Sequence, residues 1–337
     1  MTLNLLRKLN LPNELLIETV SRDEADKLYE YSSRNRMRTS FLEKFACAEK
    51  FPNLRELYWY EETLYLKMLK AVSKVSKILT SADSNHAIFK TVRPYKSTTV
   101  DIDTVIFGDK GAYNKALNIL KNAKYALLAK GPLSATFWDS NADIGIDVYD
   151  EIGVSALCYL DKNCLTRFER MVELPNGENA RLLGPEADLL TIVAHSIIKE
   201  QMYTLSEYYS FVKYLEIIDE KTFLDLLRET NLMNAGRIHG SITALIFEAV
   251  HGKISSKLQN ILGELGQDNF ETSRMQRRDL ESPYKYHPIT VSKSLLEIAK
   301  GKKTRSSAAL QLKRMTNPSF TSRFLKDLLQ HLARETY

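Results

Sequence analysis

Residues 99–107 read TVDIDTVIF and residues 142–152 read ADIGIDVYDEI. In the first stretch Val100, Ile102 and Thr104 alternate with Asp101, Asp103 and Val105, the two-residue period of a β-strand. In the second, Ile144, Ile146 and Val148 fall on one face, and Gly145, Asp147 and Tyr149 on the other. Residues i and i+2 of a strand project the same way, so Asp101 and Asp103 hold their carboxylates side by side. Two adjacent anions repel, and folding them together costs free energy unless a cation or a basic group compensates. Val100, Ile102 and Ile106 place this strand in a core rather than at a frayed edge. Magnesium, or manganese with the same taste for oxygen ligands, suits such a pair. A third acid on a neighbouring strand would complete a two-metal site. One ion would then lower the pKa of an attacking hydroxyl and the other steady a leaving pyrophosphate. Asp147 is the best candidate because it opposes the apolar face of its strand; Asp143 and Asp150 are the alternatives.

Working outward, the 337 residues are 44% hydrophobic and 26% charged, ample for two or three packed units of about 100–200 residues each. Residues 1–85 read as helices. Leu57, Leu64, Met68, Val72, Val75 and Leu79 recur at three-to-four spacing, which predicts a long helix over about residues 53–79. Its aromatics Tyr58, Trp59, Tyr60 and Tyr65 are expected to pack in a core or against another domain. From His86 the pattern turns to short strands: residues 87–92, 99–107, 125–131, 135–139 and 142–152, with a helix over residues 112–123. Asn176-Gly177, within residues 171–183, marks a tight hairpin. Pro185, with Glu186 and Asp188 close behind, opens a helical second half. Within it, residues 266–290 read as a long connection. The expected class is α+β, with an N-terminal helical segment (1–85), a small mixed-sheet core (86–183) and an all-helical C-terminal domain (184–337). The active cleft is expected between the core and those helices.

An Asp-x-Asp strand, a helix and a lone Asp on a later strand resemble the DNA polymerase β-like nucleotidyltransferase superfamily. The region looks closest to its divergent bacterial and archaeal nucleotidyltransferase-like proteins, over roughly residues 50–215. Those relatives carry a strand ending in Lys-Gly, an Arg a few residues on, then Asp-x-Asp. Here FKTVRPYKSTTVDID supplies Lys90, Arg93, Asp101 and Asp103. GPEADLLTIVAHSIIK, with His195, is similar to the opening of their helical half. The resemblance implies magnesium-dependent transfer of a nucleoside monophosphate from a nucleoside triphosphate to an acceptor hydroxyl. It makes Asp101, Asp103 and Asp147 the metal ligands. Two departures stand out. The superfamily's Gly-Ser or Gly-Gly cradle for the triphosphate is missing, and Thr91 stands where the glycine of Lys-Gly would be. Lys90, Arg93, Lys96, Ser97, Thr98 and Thr99 are the phosphate-binding candidates in its stead.

Charge is unevenly spread. The net is +5, yet residues 273–315 hold eleven Lys/Arg against three Asp/Glu, so most of the chain is acidic and its end is basic. Arg277, Arg278, Lys300, Lys302, Lys303, Arg305, Lys313 and Arg314 would meet a phosphate backbone, which makes RNA or DNA, an RNA 3′ end in particular, the preferred acceptor. Tyr284 and Tyr286 would suit base stacking. His195, on a helix between apolar faces, reads as a hydrogen-bonded core histidine. Cys47, Cys158 and Cys164 form no metal-like pair, and Cys158 and Cys164 read as half-buried thiols. The N-terminus lacks the apolar run of a signal peptide and no stretch is long enough for a membrane helix, so a cytoplasmic protein is expected. DIDTVI also matches the phosphatase motif of haloacid dehalogenases, but YKSTT rather than an apolar strand precedes it. A metal-dependent glycosyltransferase would need a Rossmann-like first half. The main rival is a catalytically inactive scaffold that keeps the fold to bind nucleic acid or a protein partner.

Overall fold

The computed structural model describes residues 1–10, 20–46 and 51–334; Cys47 lies outside them. Among the described residues three short helices, α1 (Thr2–Asn10), α2 (Arg22–Arg34) and α3 (Arg38–Phe45), precede α4 (Pro52–Ser81), a 30-residue helix with proline at its first turn. Its apolar stripe buries Met68, Leu69, Val72, Val75 and Leu79. Together with Tyr113, Ala116, Leu117 and Leu120 of α5 (Lys110–Asn122), the stripe covers one face of a mixed sheet. Asp109 caps α5, its side chain accepting from the Ala112 N–H at 2.9 Å.

The seven strands are β1 (His86–Ile88), β2 (Asp101–Ile106), β3 (Ala126–Lys130), β4 (Ser134–Asp139), β5 (Ile144–Tyr149), β8 (Glu169–Glu173) and β9 (Asn179–Leu183). Their order is β3-β4-β5-β2-β1-β9-β8, with β2 parallel to β5 and β1 parallel to β9. Between them β6 (Ile152–Val154) and β7 (Leu157–Leu160) form a separate hairpin. Ile102, Ile106, Ile146 and Val148 point into the α4/α5 layer. The opposite face carries Val105 and Tyr149 into the core of the helical half. Alternation therefore turns the acids Asp101, Asp103 and Asp147 towards that half.

The second half runs α6 (Pro185–Ala194), a π-helical turn over His195–Glu200, β10 (Met202–Tyr203), α7 (Leu205–Ile217), α8 (Glu220–Glu229), α9 (Met233–His251), α10 (Ser256–Leu265), α11 (Asn269–Gln276), β11 (Tyr284–Lys285), α12 (Pro288–Ile298), α13 (Lys302–Met315) and α14 (Pro318–Ala333). The chain is thus α+β, a mixed sheet followed by a helical half, as the sequence suggests.

Several expectations need correction. Helices α1 to α3 dock on the C-terminal helices, in a core that also takes Ala87, Val105 and Tyr149 from the sheet. Arg7 donates to the Ala249 carbonyl at 2.9 Å, and Asn35 accepts from the Leu205 N–H at 3.2 Å and donates to the Ser282 carbonyl at 3.0 Å. Their apolar faces share one core with α6 to α9. Trp59 and Tyr60 are not core residues but lie 58% and 61% exposed, because α4 presents that side to solvent. Val100 is outside the strand and 77% exposed. The hairpin at Asn176-Gly177 is a five-residue connection: Pro175, just before the pair, has no N–H to close a two-residue turn, and the Gly177 N–H instead donates to the Leu174 carbonyl at 2.8 Å.

Residues 266–290 are not a bare connection, and a two-residue ladder joins the helices of the second half. Asp268 caps α11 through the Glu271 N–H at 2.8 Å. Glu271, fully buried, gathers the Tyr284 and Thr290 hydroxyls and the His287 N–H. The strand β11 then pairs with β10.

Candidate metal centre

Parallel pairing of β2 with β5 sets Asp103 directly opposite Asp147 and Asp101 opposite Gly145. One oxygen from each of Asp101, Asp103 and Asp147 lies within 4.8 Å of the others, the spacing of a shared cation site. Each acid is held by the fold. The Thr136 hydroxyl, opposite Asp147 on β4, donates to Asp147 Oδ1 at 2.6 Å. Thr91 Oγ1 accepts from the Asp103 N–H at 3.0 Å. Thr99 Oγ1 donates to the Asp101 carbonyl at 2.8 Å.

Electrostatics record the crowding. The Asp103 charge, with burial second, pushes the Asp101 carboxyl up to about 6. Burial, then Asp103, raises Asp147. Asp103 is 2% exposed, and its Oδ1 is buried without a hydrogen-bond partner. A buried, unpartnered carboxylate oxygen is costly unless something ligates it. Three hard oxygen donors, one of them with an orphaned oxygen, make a group that could hold magnesium or manganese.

Lys90 supplies the compensating charge. Its Nζ lies 2.5 Å from Asp103 Oδ2, with lysine and aspartate side chains 9% and 3% exposed. Its φ is +47°, a left-handed conformation rare outside glycine, and its N–H donates to Asp188 Oδ1 at 2.5 Å. Asp188, in the first turn of α6, also accepts from the Tyr214 hydroxyl. The helical half therefore clamps the residue that neutralises Asp103. From the same half, Lys199 in the π-helical turn draws down the Asp101 and Asp147 pKa values, against the larger upward pushes. Such turns are frequent at functional sites, and this one ends α6.

The other phosphate candidates scatter. Arg93 faces α7, donating to Ser210 Oγ at 3.2 Å. Lys96 pairs with Glu62 at 2.7 Å and Glu43 at 3.7 Å, its ammonium 5.7 Å from the rings of Tyr58 and Tyr65. Thr98 donates to Glu61 Oε2 at 3.0 Å, and Ser97 is buried. Lys96 and Thr98 thus fasten the loop before β2 to α4. His195 Nε2 sits 3.1 Å from Glu200 Oε1, and burial together with Lys90 and Lys199 holds its pKa well below the usual range. It is a neutral, buried histidine within reach of the charges of Lys90 and Lys199. Of the alternative acids, Asp150 is taken by Lys110 at 2.7 Å and Lys162 at 3.4 Å, and Asp143 lies in the turn before β5 at φ +58°.

The basic C-terminal region divides in two. Lys303 bridges Glu151 at 2.8 Å and Asp161 at 2.9 Å. Along the same helix, α13, Ser307 Oγ accepts the Cys158 N–H and Gln311 Oε1 the Ala156 N–H, each at 2.9 Å. The helix is thereby sewn to the β6–β7 hairpin. Arg277, Arg278, Lys300, Lys302, Arg305 and Lys313 are exposed, and Arg314 is half-buried. Tyr284 and Tyr286 are 0% and 5% exposed and cannot stack on a base, because Glu271 and the inter-strand pairing draw them inward. Cys158 and Cys164 are free thiols, Cys158 buried and Cys164 half-buried, both raised chiefly by burial, to about 12 and about 11. Among the described residues no helix is long and apolar enough to cross a membrane.

Lys199, Thr136 and Asp188 were not legible as site residues. Thr136 alternates on its strand, but only the β4–β5 register aims it at Asp147.

No protein-family model matches this chain, and neither does any curated protein sequence. Among solved structures it is similar to an antigenic nucleotidyltransferase-like protein from Paracoccidioides brasiliensis, at 13% identity and a TM-score of 0.31, over 66% of this chain and 96% of that one. It is also similar to a STING-associated CdnE c-di-GMP synthase from Capnocytophaga granulosa, at 12% identity and 0.29, over 93% and 98%. A CCA-adding enzyme from Thermotoga maritima matches at 12% identity and 0.22, over 69% and 70%. At such scores these likenesses do not bear on what the chain does.

Proposed function

We propose that the chain is a metal-dependent nucleotidyltransferase that transfers a nucleoside monophosphate from a nucleoside triphosphate to an acceptor hydroxyl. The observation that carries this reading is the triad itself. Three carboxylates converge from two adjacent strands, one with an orphaned buried oxygen, facing the helical half. A fold that needed only a scaffold would gain stability by losing at least one of these charges.

Asp101, Asp103 and Asp147 would hold magnesium or manganese, which when bound supplies charge neutralisation for the phosphates and for the attacking oxygen. Thr136 keeps Asp147 turned into the site, and Thr91 keeps Asp103 at its register. Lys199 adds positive charge felt by Asp101 and Asp147. The acceptor oxygen bonds to the α-phosphorus, the bond from that phosphorus to the bridging oxygen breaks, pyrophosphate leaves, and the acceptor's proton passes to water. The exposed basic residues of the C-terminal region favour an RNA or DNA acceptor.

The test is incubation with each α-labelled NTP, magnesium or manganese, and total RNA. Label should pass to an acceptor with the wild type and not with Asp101→Ala/Asp103→Ala. No transfer from any NTP would sink the catalytic reading. The alternative, a binding-only scaffold, draws support from the engagement of Lys96 and Thr98 with glutamates of α4. It requires RNA binding that survives the double substitution without any transfer.

A further inference from the structure

We propose that this centre takes a single divalent metal, with the Lys90 ammonium filling the place of a second. The inference rests on reading the triad as a metal site and departs from the two-metal arrangement expected from the sequence.

The two oxygens of Asp103 are not equivalent. Oδ2 is taken by Lys90 Nζ at 2.5 Å, while Oδ1 is buried and unpartnered. A carboxylate that bridges two metals through both of its oxygens offers one to each. Here one oxygen is open and the other already carries a positive charge.

That lysine is built in rather than passing by. Its backbone is fixed in a left-handed conformation at φ +47°, where the surrounding structure must hold it. The holding contact is the Asp188 carboxylate on its N–H at 2.5 Å. Asp188 is itself 4% exposed and bonded to the Tyr214 hydroxyl. Phe89 lies under the ammonium, 5.7 Å from Nζ to the ring centre. A surface lysine drifts through many rotamers, but this one is 9% exposed and pinned at both ends. Leaving Asp103 would strand a buried ammonium, so the cheaper outcome is that Lys90 stays and one metal enters at Oδ1, Asp101 and Asp147.

Charge supports the same count. Three carboxylates bearing one ammonium are left with two negative charges, which one divalent ion cancels. A second ion would sit against both the first and Lys90.

The experiment uses the full chain, Mn2+ and inorganic triphosphate. Electron paramagnetic resonance reads whether the protein-bound manganese is isolated or exchange-coupled to a second ion. In parallel, lysines are reductively methylated with and without Mn2+ and located by mass spectrometry, with the exposed Lys302 as the control. The wild type should hold one isolated Mn2+ per chain, and Lys90 should stay unmodified in both conditions while Lys302 reacts. Lys90→Met should admit a second ion and show the coupled spectrum.

A coupled pair in the wild type, with Lys90 turned reactive on metal binding, overturns the inference and leaves the metal site standing. A Lys90→Met protein that still holds one ion overturns the role given to the ammonium. Absence of bound Mn2+ in both proteins overturns this inference and the metal reading of the triad together. Should Lys90→Met fail to fold, the wild-type spectrum and its methylation pattern decide the matter alone.

Discussion

Asp103 on β2 and Asp147 on β5 stand opposite each other across a parallel strand pair, with Asp101 two residues before Asp103 on the same face. The core on the far side of the sheet enforces this crowding. Ile102, Ile146 and Val148 are fully buried against α4 and α5, and any strand that seats them must turn the acids the other way. Burying one such aliphatic side chain stabilises by about 1.5–3 kcal/mol. Several together can support a repulsive cluster opposite.

The cluster should weaken the metal-free protein. Asp101 has its carboxyl raised from 3.8 to about 6, chiefly by Asp103. The folded state therefore binds this proton more tightly than the unfolded chain. That contribution is fully present below the ordinary aspartate range and is lost as pH climbs through about 6. Asp101→Asn should raise the metal-free Tm at pH 7.5 by the equivalent of about 1–2 kcal/mol, and should flatten the fall in stability between acidic and neutral pH. Urea melts across that range check both; an unstabilised variant would show that the repulsion is already relieved.

Metal should act in the opposite direction. At a hundredfold excess over its Kd, Mn2+ should stabilise the wild type by about 2.7 kcal/mol, and a chelator should reverse the effect. Thr136→Val removes the hydroxyl that orients Asp147, and should weaken metal binding about tenfold while leaving the metal-free melt almost unchanged. Calorimetric titration reads the first and thermal melting the second.

His239 is a buried liability elsewhere. Its ring lies 5.2 Å from Phe211 in a stacked arrangement, neither ring nitrogen has a hydrogen-bond partner, and burial pushes its pKa down to about 3. Because the folded pKa is depressed, the neutral histidine is fully tolerated above about 6.5 and costs stability as pH falls from there towards about 3. His239→Leu should stabilise at neutral pH by about 1 kcal/mol and move acid unfolding to lower pH. A loss of stability at both pH values would mean that the ring's packing outweighs its polarity.

The basic helix α13 should separate anchoring from binding. Lys303→Ala should lower Tm, since it breaks contacts to both Glu151 and Asp161. Lys302→Ala/Arg305→Ala should leave Tm unchanged and weaken RNA binding. The salt dependence of log K should fall by about 0.7 per lost contact to single-stranded RNA. Filter binding between low and physiological salt tests this, and an unchanged slope would remove these side chains from any nucleic-acid surface.

Much of the site was readable in one dimension. The alternation around Asp101, Asp103 and Asp147 decides which face each carboxylate takes, because a strand has a period of two and one face must be apolar. The three-to-four spacing of α4 and the Pro185 helix start are equally local, and both elements form where the pattern puts them. Periodicity was silent on which strands become neighbours. Only the order β3-β4-β5-β2 brings Asp147 and Thr136 to Asp103. Lys90 read as a phosphate ligand from its charge and its place in the resemblance; the left-handed backbone and the clamp from Asp188, 98 residues along the chain, turn its ammonium onto Asp103. Tyr284 and Tyr286 show the same limit, since the buried Glu271 and the β10–β11 pairing decide their burial rather than their basic neighbours. Local pattern settles secondary structure and facing because those depend on bonds and side chains a few residues apart. Long-range pairing settles the chemistry, because a carboxylate's charge, its partner and its proton depend on groups that only the folded chain brings within a few ångströms.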